Sequence, residues 1–75
     1  MNIHLKRVNK AVHLEATNEN GNKVQIDGSP IIGGEDQGAR PMELLIMGLG
    51  GCSSMDVISI LTKQKQIIDD YEVNI

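Results

Sequence analysis

The chain has one cysteine, one aromatic side chain and neither tryptophan nor phenylalanine in 75 residues. A single thiol, Cys52, cannot make an internal disulfide. With only two histidines beside it, a closed structural zinc site, normally four-coordinate, is not expected. The unpaired thiol fits a reducing, cytoplasmic compartment. Tyr71 as the only aromatic argues against nucleic-acid modules that stack bases, and a net charge of -3 removes the basic footprint that phosphate binding requires. The first residues, Met1–Arg7, hold no continuous apolar core, so no signal peptide is expected. A membrane span needs about 20 apolar residues. The longest uncharged helical stretch, Leu44–Met55, has twelve and is stopped by Asp56, so no membrane partner is expected.

What the chain does have is aliphatic: ten isoleucines, six leucines and five valines within an apolar fraction of 40%. That content argues against disorder. A chain this small buries only about 60% of the surface its unfolded form exposes, and small domains usually need a disulfide, a metal or a partner chain. With the first two absent, a partner is left.

Three stretches alternate with period two. Ile3 and Leu5 face away from His4 and Lys6; Val12, Leu14 and Ala16 face away from His13, Glu15 and Thr17; Val24 and Ile26 repeat the pattern. Asn20-Gly21, between the second and third stretches, is a hairpin signal. The spacing predicts strands at about 2–8, 11–17 and 23–27, forming an antiparallel meander with one polar face. Gly28–Arg40, with four glycines and one proline in thirteen residues, reads as a loop pinned to the core by Ile31-Ile32. Pro41 suits the first position of a helix and Glu43 its first turn. The helix is predicted over about 42–66, and being apolar on nearly every face it belongs in a core. Tyr71, Val73 and Ile75 alternate with Asp70, Glu72 and Asn74, which predicts a strand over about 70–75. The chain thus reads as an α+β arrangement, a meander packed on a long central helix, and as the first part of a longer domain or half of an obligate assembly.

For chemistry, Cys52 stands out inside Gly48–Ser54, a run with three glycines, each costing roughly 1 kcal/mol in a helix interior. Close packing or a local helix break would offset that cost. Free cysteine is more often a buried packing residue than a reactive one. A thiolate needs a nearby positive group, and Asp56, one turn on, is the wrong sign. Arg40 is twelve residues upstream, roughly 18 Å along a straight helix, and Glu43 falls on the face opposite Cys52. Gly48-x-Gly-Gly lacks both the spacing and the preceding strand of a dinucleotide site, so no cofactor is expected. His4 and His13, on the polar strand face, read as solvated. Asp69-Asp70 reads as a turn between helix and strand.

The run Ala39–Lys63 resembles the central helix of the OsmC-like family, which includes the organic hydroperoxide resistance proteins. The resemblance rests on Pro41-x-Glu43-Leu44-Leu45, then Gly51-Cys52, Met55-Asp56-Val57 and Ile60-Leu61-x-Lys63. Tyr71–Ile75 is similar to the start of the family's next strand, so the resemblance spans this chain and about the first half of a family domain. It implies an intertwined homodimer with the helix at its centre. It also implies a stress-response, antioxidant peroxidase in which a cysteine at the position of Cys52 attacks an organic hydroperoxide. In the peroxidases a second cysteine resolves the sulfenic acid, and an arginine from the N-terminal hairpin, held by a glutamate before the helix, stabilises the thiolate. Here the second cysteine is absent, and the hairpin Ala16–Gly21 has Glu19 rather than an arginine. The family glutamate aligns with Met42, one residue from Glu43. Only Cys52 carries over directly; Arg40 and Glu43 are the residues that would take the missing roles, with an external thiol as reductant. The alternative is a non-enzymatic dimeric or small-ligand-binding scaffold with a structural cysteine.

Overall fold

The computed structural model describes all of residues 1–75. The chain forms two compact units, Met1–Glu43 and Leu44–Ile75, described in turn.

The first unit carries an antiparallel sheet of three strands in sequence order: β1 (His4–Arg7), β2 (Leu14–Thr17) and β3 (Lys23–Ile26). Its register sets Leu5 opposite Ala16 and Ala16 opposite Val24, with Leu14 opposite Ile26. Because side chains alternate, these five share one face. Lys6, Glu15 and Gln25 fill a row on the other. The meander is the expected one, with shorter strands. β2 begins at Leu14 and not at Ala11, because the Asn9 Oδ1 accepts the N–H groups of Ala11 at 2.9 Å and His13 at 3.1 Å. That side chain holds the segment before β2 in a turn.

The β2–β3 hairpin is built on Asn18. Its carbonyl accepts the Gly21 N–H at 3.1 Å, and its Oδ1 accepts those of Asn20 and Asn22. Gly21 sits at φ +83°, so the turn is a three-residue loop closed by a left-handed glycine, one of the common hairpin connections.

The glycine-rich loop holds a single 3₁₀ turn, Pro30–Ile32. The expectation that Ile31-Ile32 pins it is corrected: Ile31 is 94% exposed and Ile32 69%. Asp27 takes that place. It is 1% exposed, the one fully buried side chain of the chain. After the loop the chain returns beside β3, where the Asp27 N–H donates to the Ala39 carbonyl and the Ala39 N–H to the Gln25 carbonyl. A Cβ at Gly38 would overlap the Gln25 carbonyl, so only glycine permits this approach.

The helix α1 spans Pro41–Lys63. It ends three residues earlier than expected. The Lys65 N–H donates to the Thr62 carbonyl and the Gln66 N–H to the Leu61 carbonyl, with Lys65 at φ +59°. That pair of bonds is a Schellman stop, with lysine in the position glycine usually takes. The glycines do not break the helix: Gly48, Gly50 and Gly51 all lie within it.

Tyr71–Ile75, expected as a strand, is in no strand. Its unit contains no other strand to complete a ladder. Its alternation is nonetheless used, since Tyr71, Val73 and Ile75 line an open cleft of about 250 Å³ with Gly50, Ser54 and Val57 of α1. A Cβ at Gly50 would overlap the Ile75 Cδ1. No apolar side chain in the chain is buried. The expected core helix is therefore exposed: a chain of 75 residues supplies too little surface to enclose it. By length and composition α1 also meets the criterion for crossing a membrane, which the core helix of a soluble protein can meet as well.

Candidate functional site

The residues before α1 are organised from the inside outward. Asp27 leaves β3 and turns its carboxylate into the loop. Its Oδ1 accepts the Gly28 N–H at 2.7 Å, and its Oδ2 accepts the N–H groups of Glu35 at 3.3 Å and Gln37 at 3.1 Å. Burial alone would raise its pKa. The amides of Gln37, Gly28 and Glu35, with the nearby His13, more than offset that and hold it below its ordinary value.

The two loop amides bound by Asp27 flank Asp36, whose own N–H donates to the Gly28 carbonyl at 3.3 Å. Asp36 stands at φ +57°, a left-handed conformation that aspartate tolerates better than most residues. Its carboxylate binds the Arg40 guanidinium through Nη1, which also donates to the Gly38 carbonyl at 3.2 Å. The hydrogen bond to Asp36 raises the Arg40 pKa further above its already high value, so the charge is permanent.

Arg40 is the N-cap of α1, Pro41 the first helical residue and Glu43 the third. The Glu43 Oε1 accepts the Arg40 backbone N–H at 2.9 Å, the returning half of a capping box. The structure thus brings Arg40 and Glu43 together, but through the backbone of one and the side chain of the other. The acid on the guanidinium is Asp36.

Cys52 is in the second unit, exposed and free. It does not itself line the cleft of Tyr71, Val73 and Ile75: at about 100° per residue it lies about 160° around α1 from Gly50 and Ser54 and about 60° from Leu49, three of the helix positions that do. One turn before it, on the same side, Gly48 has open space where a Cβ would be. Asp56 follows one turn on.

Asp27, Asp36 and His13 carry more than their sequence positions suggest. His13 is half-buried and not simply solvated: its Nε2 lies 2.7 Å from the Gln25 Oε1, and the Gln25 Nε2 donates to Glu15 at 3.1 Å. The Glu15 pKa is lowered chiefly by that Gln25 bond, against some desolvation, with Lys23 assisting. For Asp27 the available signal was an Asp-Gly step where a strand meets a glycine-rich loop.

The Asp27 shift fixes a pH dependence. A carboxylate with a lowered folded-state pKa stabilises the fold fully above its ordinary value of 3.8, and that stabilisation is lost as the pH falls through the lower value. The amide resonances of Gly28, Glu35 and Gln37 are expected to hold steady from neutral pH down to about 4.5 and then move together, with a midpoint below 3.8. A shared midpoint at or above 3.8 would contradict the hydrogen-bonded carboxylate.

A profile of the OsmC-like protein family matches residues 34–75, more than half of the chain and the part that holds Asp36, Arg40, Glu43 and Cys52. The chain is also 40% identical over 55 residues to Protein YhfA of Escherichia coli K12, and equally to its counterpart in Shigella flexneri. The aligned segment is 73% of this chain and 38% of each relative, so this chain spans well under half the length of the curated relatives it matches. On the family match and this likeness, the chain belongs to the OsmC-like family.

Proposed function

We propose that Cys52 is the reacting thiol of a thiol-dependent peroxidase that reduces organic hydroperoxides. The observation that carries this reading is the exposed, unpaired cysteine within the segment matched by the family. In the proposed step the thiolate attacks the terminal oxygen of the hydroperoxide and the O–O bond breaks. The alkoxide leaves and takes a proton, so an alcohol departs and Cys52 becomes a sulfenic acid. An external thiol then condenses with the sulfenic acid, releasing water and forming a mixed disulfide. A second thiol reduces that disulfide and restores Cys52.

Because α1 runs unbroken between Arg40 and Cys52, the charge that stabilises the thiolate is assigned to the Arg40 of the second chain in the homodimer, and Glu43 is assigned the task of fixing the Arg40 backbone at the helix start. The apolar residues around Cys52 favour an organic over an inorganic peroxide. The chain acts as the N-terminal part of an OsmC-like domain, in a homodimer formed through α1, and in the cytoplasm, where thiols stay reduced.

A second reading is favoured by one observation: the Arg40 guanidinium is already engaged by Asp36 and the Glu43 carboxylate by a backbone amide. On that reading the domain is a dimeric or ligand-binding scaffold, and Cys52 is structural.

The two readings separate on intact-mass analysis of the reduced chain after a brief, substoichiometric pulse of cumene hydroperoxide. The peroxidase reading expects one added oxygen at Cys52 far faster than on free cysteine, and none in Cys52→Ser. Oxidation no faster than that of free cysteine would favour the scaffold.

A further inference from the structure

We infer that Asp36, held in place by Asp27, is the positioning residue for Arg40. This rests on the proposed role of Arg40 but is carried by its own geometry. Asp27 is buried and spends its carboxylate on three loop amides. Two of these belong to Glu35 and Gln37, the neighbours of Asp36 on either side. A third tie runs from the Asp36 N–H to the Gly28 carbonyl. The backbone of Asp36 is thus held at three consecutive residues, and that hold keeps it in its left-handed conformation.

The result is directional. Asp36 and the Gly38 carbonyl both take their bonds from the Arg40 Nη1. A guanidinium has five N–H donors in a planar fork, and anchoring it at one nitrogen leaves the Nε–Nη2 edge to meet an anion side-on. Glu43 fixes where the Arg40 backbone enters α1. Two acids thus set the arginine, one through its main chain and one through its side chain, and the buried Asp27 sets the second of them. The glycine-rich loop reads as an arginine holder.

The chain's two arginines make the test direct. In a chain labelled with ¹⁵N-arginine, the Arg7 Nε–H, which donates to the Ala11 carbonyl at 2.7 Å, serves as internal reference. Asp36→Asn is expected to shift the Arg40 guanidinium resonance and speed rotation about its Nε–Cζ bond, leaving Arg7 unmoved. Asp27→Asn is expected to do the same although it makes no bond to Arg40, whereas Glu43→Gln leaves the guanidinium signal in place. An Arg40 signal unchanged in Asp36→Asn, or unchanged in an Asp27→Asn chain whose Gly21 hairpin amide is intact, overturns the inference. If Asp27→Asn loses the hairpin as well, Asp36→Asn decides alone, because Asp36 is exposed and its loss leaves the buried bonds intact.

The hydroperoxide pulse supplies the functional arm. Asp36→Asn is expected to slow Cys52 oxidation about tenfold and move its pH midpoint upward, as Arg40→Ala does, on the scale at which a misplaced orienting group acts. A slowed Asp36→Asn with an unshifted pH midpoint overturns positioning through Arg40. If wild-type Cys52 reacts no faster than free cysteine, the peroxidase reading fails, while the guanidinium resonances still decide whether Asp36 and Asp27 position Arg40.

Discussion

Leu45→Glu is expected to weaken self-association of the chain by about two orders of magnitude or more. Leu45 is 66% exposed on α1, and Leu49 and Met55 on the same stretch are 69% and 73% exposed. So many large apolar side chains exposed on one helix point to a surface that a partner covers. Tyr71, Val73 and Ile75 share their cleft with Leu49, Gly50, Ser53, Ser54 and Val57, and Leu45 lies outside it, open to the second chain of the proposed homodimer. Burying one leucine is worth about 1.5–3 kcal/mol, or about tenfold to a hundredfold in an equilibrium constant. A two-fold interface counts each leucine twice, and the mutant places a charge there instead. Glutamate is a good helix former, so circular dichroism should show α1 unchanged while sedimentation velocity over a concentration series shows the variant dissociating first. Wild-type chain that stays monomeric throughout, or a variant that associates equally well, would remove the proposed homodimer.

Gly38→Ala is expected to produce a large loss of stability in the first unit. The added methyl would overlap the carbonyl of Gln25 and approach the amide of Ile26, and neither can rotate away as a side chain would. At this point the loop returns beside β3 through the two bonds that link Ala39 with Gln25 and Asp27. Overpacking costs about 1–3 kcal/mol even where side chains can adjust. Against total stabilities of roughly 0.05–0.15 kcal/mol per residue, that is a large share. A lower urea midpoint with faster exchange of the Asp27 and Ala39 amides would be the signature. An unchanged midpoint would mean that the return of the chain beside β3 contributes nothing to holding the first unit together.

Much of the backbone was legible because local signals agree. Period-two alternation placed three strands, Asn20-Gly21 placed the hairpin, and Pro41 with Glu43 placed the helix start. The strand and helix ends were misjudged where side chains or caps intervene. Asn9 takes two amides out of the path to β2, and the Schellman stop at Lys65 ends α1 without the usual glycine. Ile31-Ile32 looked like an anchor because it is apolar, yet the anchor is Asp27. A buried carboxylate with three amide partners up to ten residues away leaves no periodic trace. At the candidate site, Cys52 was visible as the single thiol, and Arg40 and Glu43 were named from the family resemblance although their spacing from Cys52 was unfavourable. That Asp36 rather than Glu43 holds the guanidinium was not visible, because it depends on one left-handed residue inside a folded loop.

Sequence alone determined the α+β class, the order of the three strands and the helix, the family resemblance and the single thiol, because each depends on residue identity or on spacing along the chain. Tertiary structure decided which acid meets which base, which glycine is required by a close approach, and which face of α1 meets Tyr71, Val73 and Ile75. Those depend on where the chain returns to itself. In this protein the return is directed by one buried aspartate and by a glycine that lets two backbones touch.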